Sequence, residues 1–159
     1  MEKDFDIEIK KYLTNGKKIR DFDYHAIPKE KGIYVVECPD GIMPVFEYKT
    51  TATHAKKLYT TEELQIKYKN GNGKILYIGC APNKQTSKKR LFHRLSELMR
   101  FRIGKCKNHD GGKALWQIKN IDDMNIYWYS VDKARETEKM LLALHKEKYT
   151  VYPVANWQG

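Results

Sequence analysis

Two short apolar runs, "GIYVVE" at 32–37 and "KILYIGCA" at 74–81, constrain this chain more than anything else in it. Each is rich in β-branched and aromatic residues and bounded by turn formers, the composition of a strand. A third run, "NIYWYSVD", alternates well enough to be another strand. Between and after them the spacing predicts helices. "TTEELQIKYKNGNG" should start at Thr60 or Thr61, continue with acidic residues and close at Gly71 and Gly73. "SKKRLFHRLSELMRF" carries Leu91, Leu95 and Leu98 at helical spacing, with Ser87 as its N-cap. "ARETEKMLLALHKEKY" is the last helix, followed by an irregular tail, "TVYPVANWQG". Residues 1–30 predict a short helix or strand before Asn15-Gly16, and "ALWQI" a short strand or a turn of helix. The expected fold is one small α+β domain, residues 1–159, with helices flanking a central antiparallel sheet.

Composition narrows the function classes. Thirty Lys and Arg against 20 Asp and Glu give a formal charge of +10. That balance suggests a polyanionic partner, nucleic acid before membrane, against the plainer reading of a solvated basic surface. No apolar stretch approaches the roughly 20 residues of a membrane helix, and "MEKDFDIEIKKYL" is too charged for a signal peptide. Cys38, Cys80 and Cys106 are scattered, without zinc-site spacing, and read as free thiols of a reducing, cytoplasmic protein.

Two placements go beyond architecture. Glu138 lies three and four residues before Leu141 and Leu142 and four after Ala134, so it shares the apolar face of the last helix. A carboxylate there is costly unless paired or bound to a metal. The competing reading is a Glu at the edge of the stripe, hydrogen-bonded to an Arg or Tyr. Arg94, one turn after Arg90, should project from the flank of its helix beside the sheet, where its planar fork suits two phosphate oxygens. An ion pair with Glu97 is the alternative. The other side of that helix presents Lys88, Lys89, Arg90, His93 and Arg100, a basic face for a nucleic-acid backbone.

In order along the chain, "GIY" at 32–34, "YIG" at 77–79, the "LxxRL" helix at 91–95, Glu138 and Asn156 after "YPVA" resemble the GIY-YIG nuclease domain. The resemblance covers a core of about 30–157. It implies a central antiparallel sheet with both tyrosines on adjacent strands beside the arginine helix. It also implies an activity, metal-dependent hydrolysis of phosphodiester bonds in DNA, as in homing, restriction and excision-repair nucleases. Carried over by position, Tyr34 and Tyr77 match the motif tyrosines, and Arg94, with Arg90 as the alternative, matches the helix arginine. Glu138 matches the ligand of one divalent ion, Mg²⁺ or Mn²⁺, and Asn156 the late asparagine. In this scheme Tyr34 helps deprotonate the attacking water, Tyr77 and Arg94 position the phosphate, and Asn156 orients Glu138 or a backbone phosphate.

The departures are specific. Tyr34 and Tyr77 enclose an insertion at about 38–73, which can fold outward or carry substrate specificity. Cys80 stands where the repair nuclease has lysine, and Leu98 where several members have histidine. His109, in "NHDGGKALWQI", is the candidate substitute; its alternative is a histidine capping the Gly111-Gly112 turn. His93 and Lys88 are weaker substitutes, and His145 reads as a packed histidine. A catalytically inactive nucleic-acid-binding module and a protein-interaction domain with a basic surface are the competing functions. Without a separate DNA-reading domain, specificity would come from the insertion, from dimerisation or from a partner protein.

Overall fold

The two motif runs pair with each other. In the computed structural model, which describes residues 3–71 and 73–157, Gly32–Glu37 (β2) lies antiparallel to Ile75–Ala81 (β3), with Tyr34 opposite Gly79 and Val36 opposite Tyr77. Asn125–Ser130 (β4) flanks β2 on its other side, and a two-residue strand, Lys17–Lys18 (β1), pairs with β4. The sheet order is β1-β4-β2-β3, all antiparallel, so β3 is an edge strand although all seven of its residues are buried. The α+β class expected from the sequence is the one observed; β1, only two lysines long, has no periodicity to announce it.

Among the described residues four α-helices surround the sheet: Phe5–Lys10 (α1), Thr61–Gly71 (α2), Leu91–Arg102 (α3) and Ala134–Tyr149 (α4). Strand alternation assigns the two faces. Ile33, Val35, Ile78 and Cys80 pack with Leu141 and Leu142 of α4 and Phe5 and Ile9 of α1. Tyr34, Val36, Tyr77 and Ala81 pack with Leu91, Leu95, Leu98 and Phe101 of α3. The register shifts between Val36 and Glu37, and Leu76 joins Tyr77 on the α3 side.

Local chemistry explains the helix ends. Asp4 accepts the Ile7 N–H at 3.2 Å and caps α1. Thr60 and Glu63 exchange bonds of 3.1 Å, a capping box for α2. Ser87 does not cap α3. That helix starts at Leu91, where His93 Nδ1 accepts the Arg90 N–H at 2.9 Å, and Ser87 Oγ instead accepts from Lys89 N in the preceding turn. "ALWQI" is the end of a 3₁₀ helix, Asp110–Gln117, followed by a single bridge between Ile118 and Phe46.

Candidate functional site at the edge of the sheet

The free edge of β3 carries the cavity that gathers the motif residues. It encloses about 330 Å³ and is bounded by Tyr77 to Cys80 of β3, Tyr34 of β2, Arg94 of α3, Glu138 of α4 and Asn156 of the tail. An edge strand lets one cavity reach both sides of the sheet. Tyr34, Tyr77 and Arg94 come from the α3 face, and Cys80 and Glu138 from the α4 face.

The glycines of the two motifs make this convergence possible. A Cβ at position 79 would lie 2.3 Å from Tyr34 Cζ and 2.6 Å from its hydroxyl, so only glycine lets the Tyr34 ring cross the neighbouring strand. At position 32 a Cβ would meet the Tyr129 carbonyl oxygen at 2.3 Å and Leu91 Cδ1 at 2.7 Å, so glycine seats the start of α3 on the sheet. α3 therefore approaches closely enough for Arg94 to reach past it.

Tyr34 is 0% exposed, Tyr77 6% and Arg94 8%. Burial pushes both phenols well above their ordinary pKa; for Tyr34 the Arg94 guanidinium partly opposes that rise. Arg94 Nη1 donates to Glu97 Oε1 and to the Asn108 carbonyl, each at 3.1 Å, while its buried Nε has no partner among the described residues. The ion pair with Glu97 expected as the alternative is present, and Arg94 also lines the cavity. Arg90, by contrast, spends Nη1 on the Lys89 carbonyl and is not among the cavity's lining residues.

His109 reaches the same cluster from the start of the 3₁₀ helix. Its Nε2 lies 2.8 Å from the Tyr34 hydroxyl, and its ring is packed at 6.1 Å from both tyrosine rings. Burial and the Arg94 charge push its pKa down to about 3, so the imidazole is neutral. Nδ1 has no partner. A buried N–H without an acceptor costs more than an unused lone pair, so the proton belongs on Nε2, donating to Tyr34. Gly112 leaves room for this ring, since a Cβ there would stand 3.0 Å from Nδ1.

On the opposite wall, burial raises the pKa of Glu138, with the Cys80 thiol and Arg94 acting against that rise. Burial raises Cys80 as well, and the Glu138 carboxylate adds to it. No ion pair to Glu138 is present among the described residues. Nor do three or more His, Cys, Asp and Glu gather there as a ready-made metal site. A half-buried carboxylate without a counter-ion, facing an open cavity, fits a divalent cation that takes its remaining ligands from water and substrate.

Asn156 differs from the sequence expectation. Its Oδ1 accepts the Ile78 N–H and its Nδ2 donates to the Ile78 carbonyl, both at 2.9 Å, while Ala155 N donates to Leu76 O. The side chain makes no hydrogen bond to Glu138 among the described residues; it closes the open edge of β3 beside the tyrosines, because a primary amide presents the donor and acceptor a missing strand would have supplied.

Nor does the insertion fold outward. Gln117, fully buried, accepts the Tyr59 N–H at 2.9 Å and donates Nε2 to the carbonyls of Tyr59 and Glu47 at 2.7 and 3.1 Å. These bonds bring Tyr59 onto Trp157, with ring centroids 4.0 Å apart and planes within 10°. Lys113 lies over the Tyr59 ring at 5.1 Å, and Lys67 of α2 lies over Trp157 at 4.1 Å while donating to the Asn156 carbonyl. Burial pushes Lys67 down to about 8. Tyr59, Trp157, Lys113 and Asp110 all line the cavity, and the sequence reading named none of them as site residues. Their signal was the insertion itself together with the "WQ" of "KALWQI".

The basic face is partly committed. Lys89 Nζ lies 2.7 Å from the buried Glu97, Arg100 donates to Ser96, and His93 serves the α3 cap. Lys88 is exposed. His145 is packed, as expected, with Nδ1 2.6 Å from the Val151 carbonyl. All three cysteines are free and buried. No helix among the described residues is long and apolar enough to cross a membrane. Comparison with protein-family models, with curated proteins and with solved structures finds no match.

Proposed function

We propose that this protein is a metal-dependent endonuclease that hydrolyses phosphodiester bonds in DNA, with the active site at the edge of β3. The observation that carries the reading is the convergence of Tyr34, Tyr77, Arg94 and Glu138 on one cavity, with a buried Arg94 Nε left without a partner. A guanidinium lining the cavity beside two phenols suits an anion, and a phosphate can pair with it. The motif order that resembles the GIY-YIG nuclease domain adds support.

The residues divide the work as follows. Arg94 and Tyr77 hold the scissile phosphate and stabilise the charge that builds on it. Tyr34, once ionised, takes the proton of the attacking water. Arg94 and the His109 Nε2–H favour that ionised form by facing its oxygen, against the burial that resists it. His109 would thereby substitute for the lysine or histidine of the nucleases this chain resembles. Water adds to phosphorus, the bond to the leaving oxygen breaks and that oxygen takes a proton from solvent water, giving a phosphomonoester and an alcohol. Glu138 would hold Mg²⁺ or Mn²⁺, which contributes Lewis-acid stabilisation when bound. The +10 charge favours the nucleic-acid backbone at long range.

One observation favours the second reading, a nucleic-acid-binding module without catalysis: burial drives both phenols away from ionisation. A nicking assay on supercoiled plasmid and on branched and single-stranded oligonucleotides, with Mg²⁺, Mn²⁺ or chelator, separates the two. Metal-dependent cutting that disappears in Tyr77→Phe and Glu138→Ala supports the nuclease. Salt-sensitive binding without cutting of any substrate supports the module instead.

A further inference from the structure

The cavity also bears on which form of nucleic acid enters it. Its reacting groups are recessed, with Tyr34, Tyr77 and Arg94 all under 9% exposed. Its volume of about 330 Å³ is at the small end of pockets that enclose one small ligand, roughly 300 to 1,000 Å³. A duplex holds each phosphate on the outside of a stiff rod, between stacked and paired neighbours. Bringing one phosphate down to Arg94 requires a strand that can bend away from those neighbours.

The wall supplied by the insertion suits such a strand. Tyr59 is fixed by its backbone to Gln117 and backed by Trp157, so its ring is rigid. Lys113 Nζ lies 5.1 Å from the ring centroid and 3.6 Å from Asp110 Oδ2, with the lysine side chain itself 11% exposed. A base that stacks on Tyr59 would have to displace the Lys113 side chain, whose charge could then pass from Asp110 to a phosphate. Aromatic rings beside cations are the usual elements of single-strand recognition, because every base offers a stacking face.

We propose that the cavity takes an unpaired strand, with Tyr59 stacking the base beside the scissile phosphate; this rests on the phosphodiester-cleaving reading above. The test is fluorescence anisotropy in chelator, with one labelled oligonucleotide used single-stranded and annealed to its complement. Wild type should bind the single strand roughly ten-fold or more tightly than the duplex. Tyr59→Ala should bring that ratio to about one, and Tyr59→Phe, which keeps the ring, should preserve it. Tyr59→Leu fills the same space without a π face and should also lose the ratio, which covers the case of a misfolded alanine variant. A duplex bound as tightly as the single strand, or a ratio untouched in folded Tyr59→Ala or Tyr59→Leu, overturns the proposal. With Mg²⁺ restored, cutting that favours duplex sinks this inference and leaves the nuclease standing. Selective single-strand binding without cutting does the reverse, and absence of binding to either form removes both.

Discussion

Replacing Gly79 with alanine is the sharpest test of how the two motifs fit together. The new Cβ would sit 2.3 Å from Tyr34 Cζ, 2.4 Å from Cε2 and 2.6 Å from the hydroxyl. An ordinary contact needs about 3.4 Å, so ring or strand must retreat by about 1 Å. The ring has nowhere to go, being fully buried between Tyr77 and His109. Overpacking of this kind costs about 1 to 3 kcal/mol, and stretching the Tyr34–His109 bond adds about 1 kcal/mol. Together that is about 2 to 4 kcal/mol, or roughly 4 to 16 °C in Tm for a chain of this size. On the proposed nuclease reading, the same displacement of Tyr34 should slow cleavage about 100-fold. Gly111→Ala is the control, because a Cβ there meets no atom within 4 Å although Gly111 lines the same cavity. Thermal melts of both variants, and of Gly79→Ala in a Tyr34→Ala background, decide the matter. The clash requires that Gly79→Ala be nearly neutral once the ring is gone. A Gly79→Ala protein as stable as wild type, or a penalty that persists without the ring, would refute this account of the motif glycines.

Two further predictions concern groups whose roles the structure redefines. Asn156→Ala strands the Ile78 N–H and carbonyl and should lower stability by about 2 to 5 kcal/mol in urea unfolding, whereas an active-site residue without a structural role would leave it unchanged. His109 has a folded pKa near 3 against an ordinary 6.5, so below pH 6.5 the unfolded chain binds a proton the folded chain refuses. The stability this gives is complete above pH 6.5 and is lost as pH falls toward 3, by about 2 kcal/mol at pH 5. His109→Leu should be less stable at pH 8 yet lose correspondingly less between pH 7 and 5; parallel stability profiles would show that the imidazole is not held neutral.

How much of this was legible in the sequence depends on the range of the contacts involved. The strands of Tyr34 and Tyr77, the buried leucines of α3 and the placement of Glu138 follow from periodicities within single elements, and all appear where those periodicities put them. Arg94 was open between phosphate and Glu97 because helix spacing brings both within reach. What escaped is long-range. The docking of 38–73 depends on Gln117 meeting Glu47 and Tyr59 across the fold, and no local pattern encodes that meeting. Asn156 was expected among the reacting groups because its motif position says nothing of which strand edge lies open. Ser87 has good capping chemistry, but Leu91 N and Phe92 N are bound to the Glu30 and Pro28 carbonyls, which anchors the helix start four residues later.

The two bonds of Asn156 have a consequence for handling this protein. β3 reads Ile-Leu-Tyr-Ile-Gly-Cys-Ala, seven uncharged residues with no proline, and its outer edge is occupied at Leu76 and Ile78 by the tail alone. Such a segment is a template for intermolecular β-pairing whenever its edge is bare. Trimming the last residues, or attaching a bulky tag that draws Ala155 and Asn156 away, should therefore cause precipitation before it reveals anything about chemistry. The tail is in this sense a resident guard against self-association, fastened from behind by Lys67.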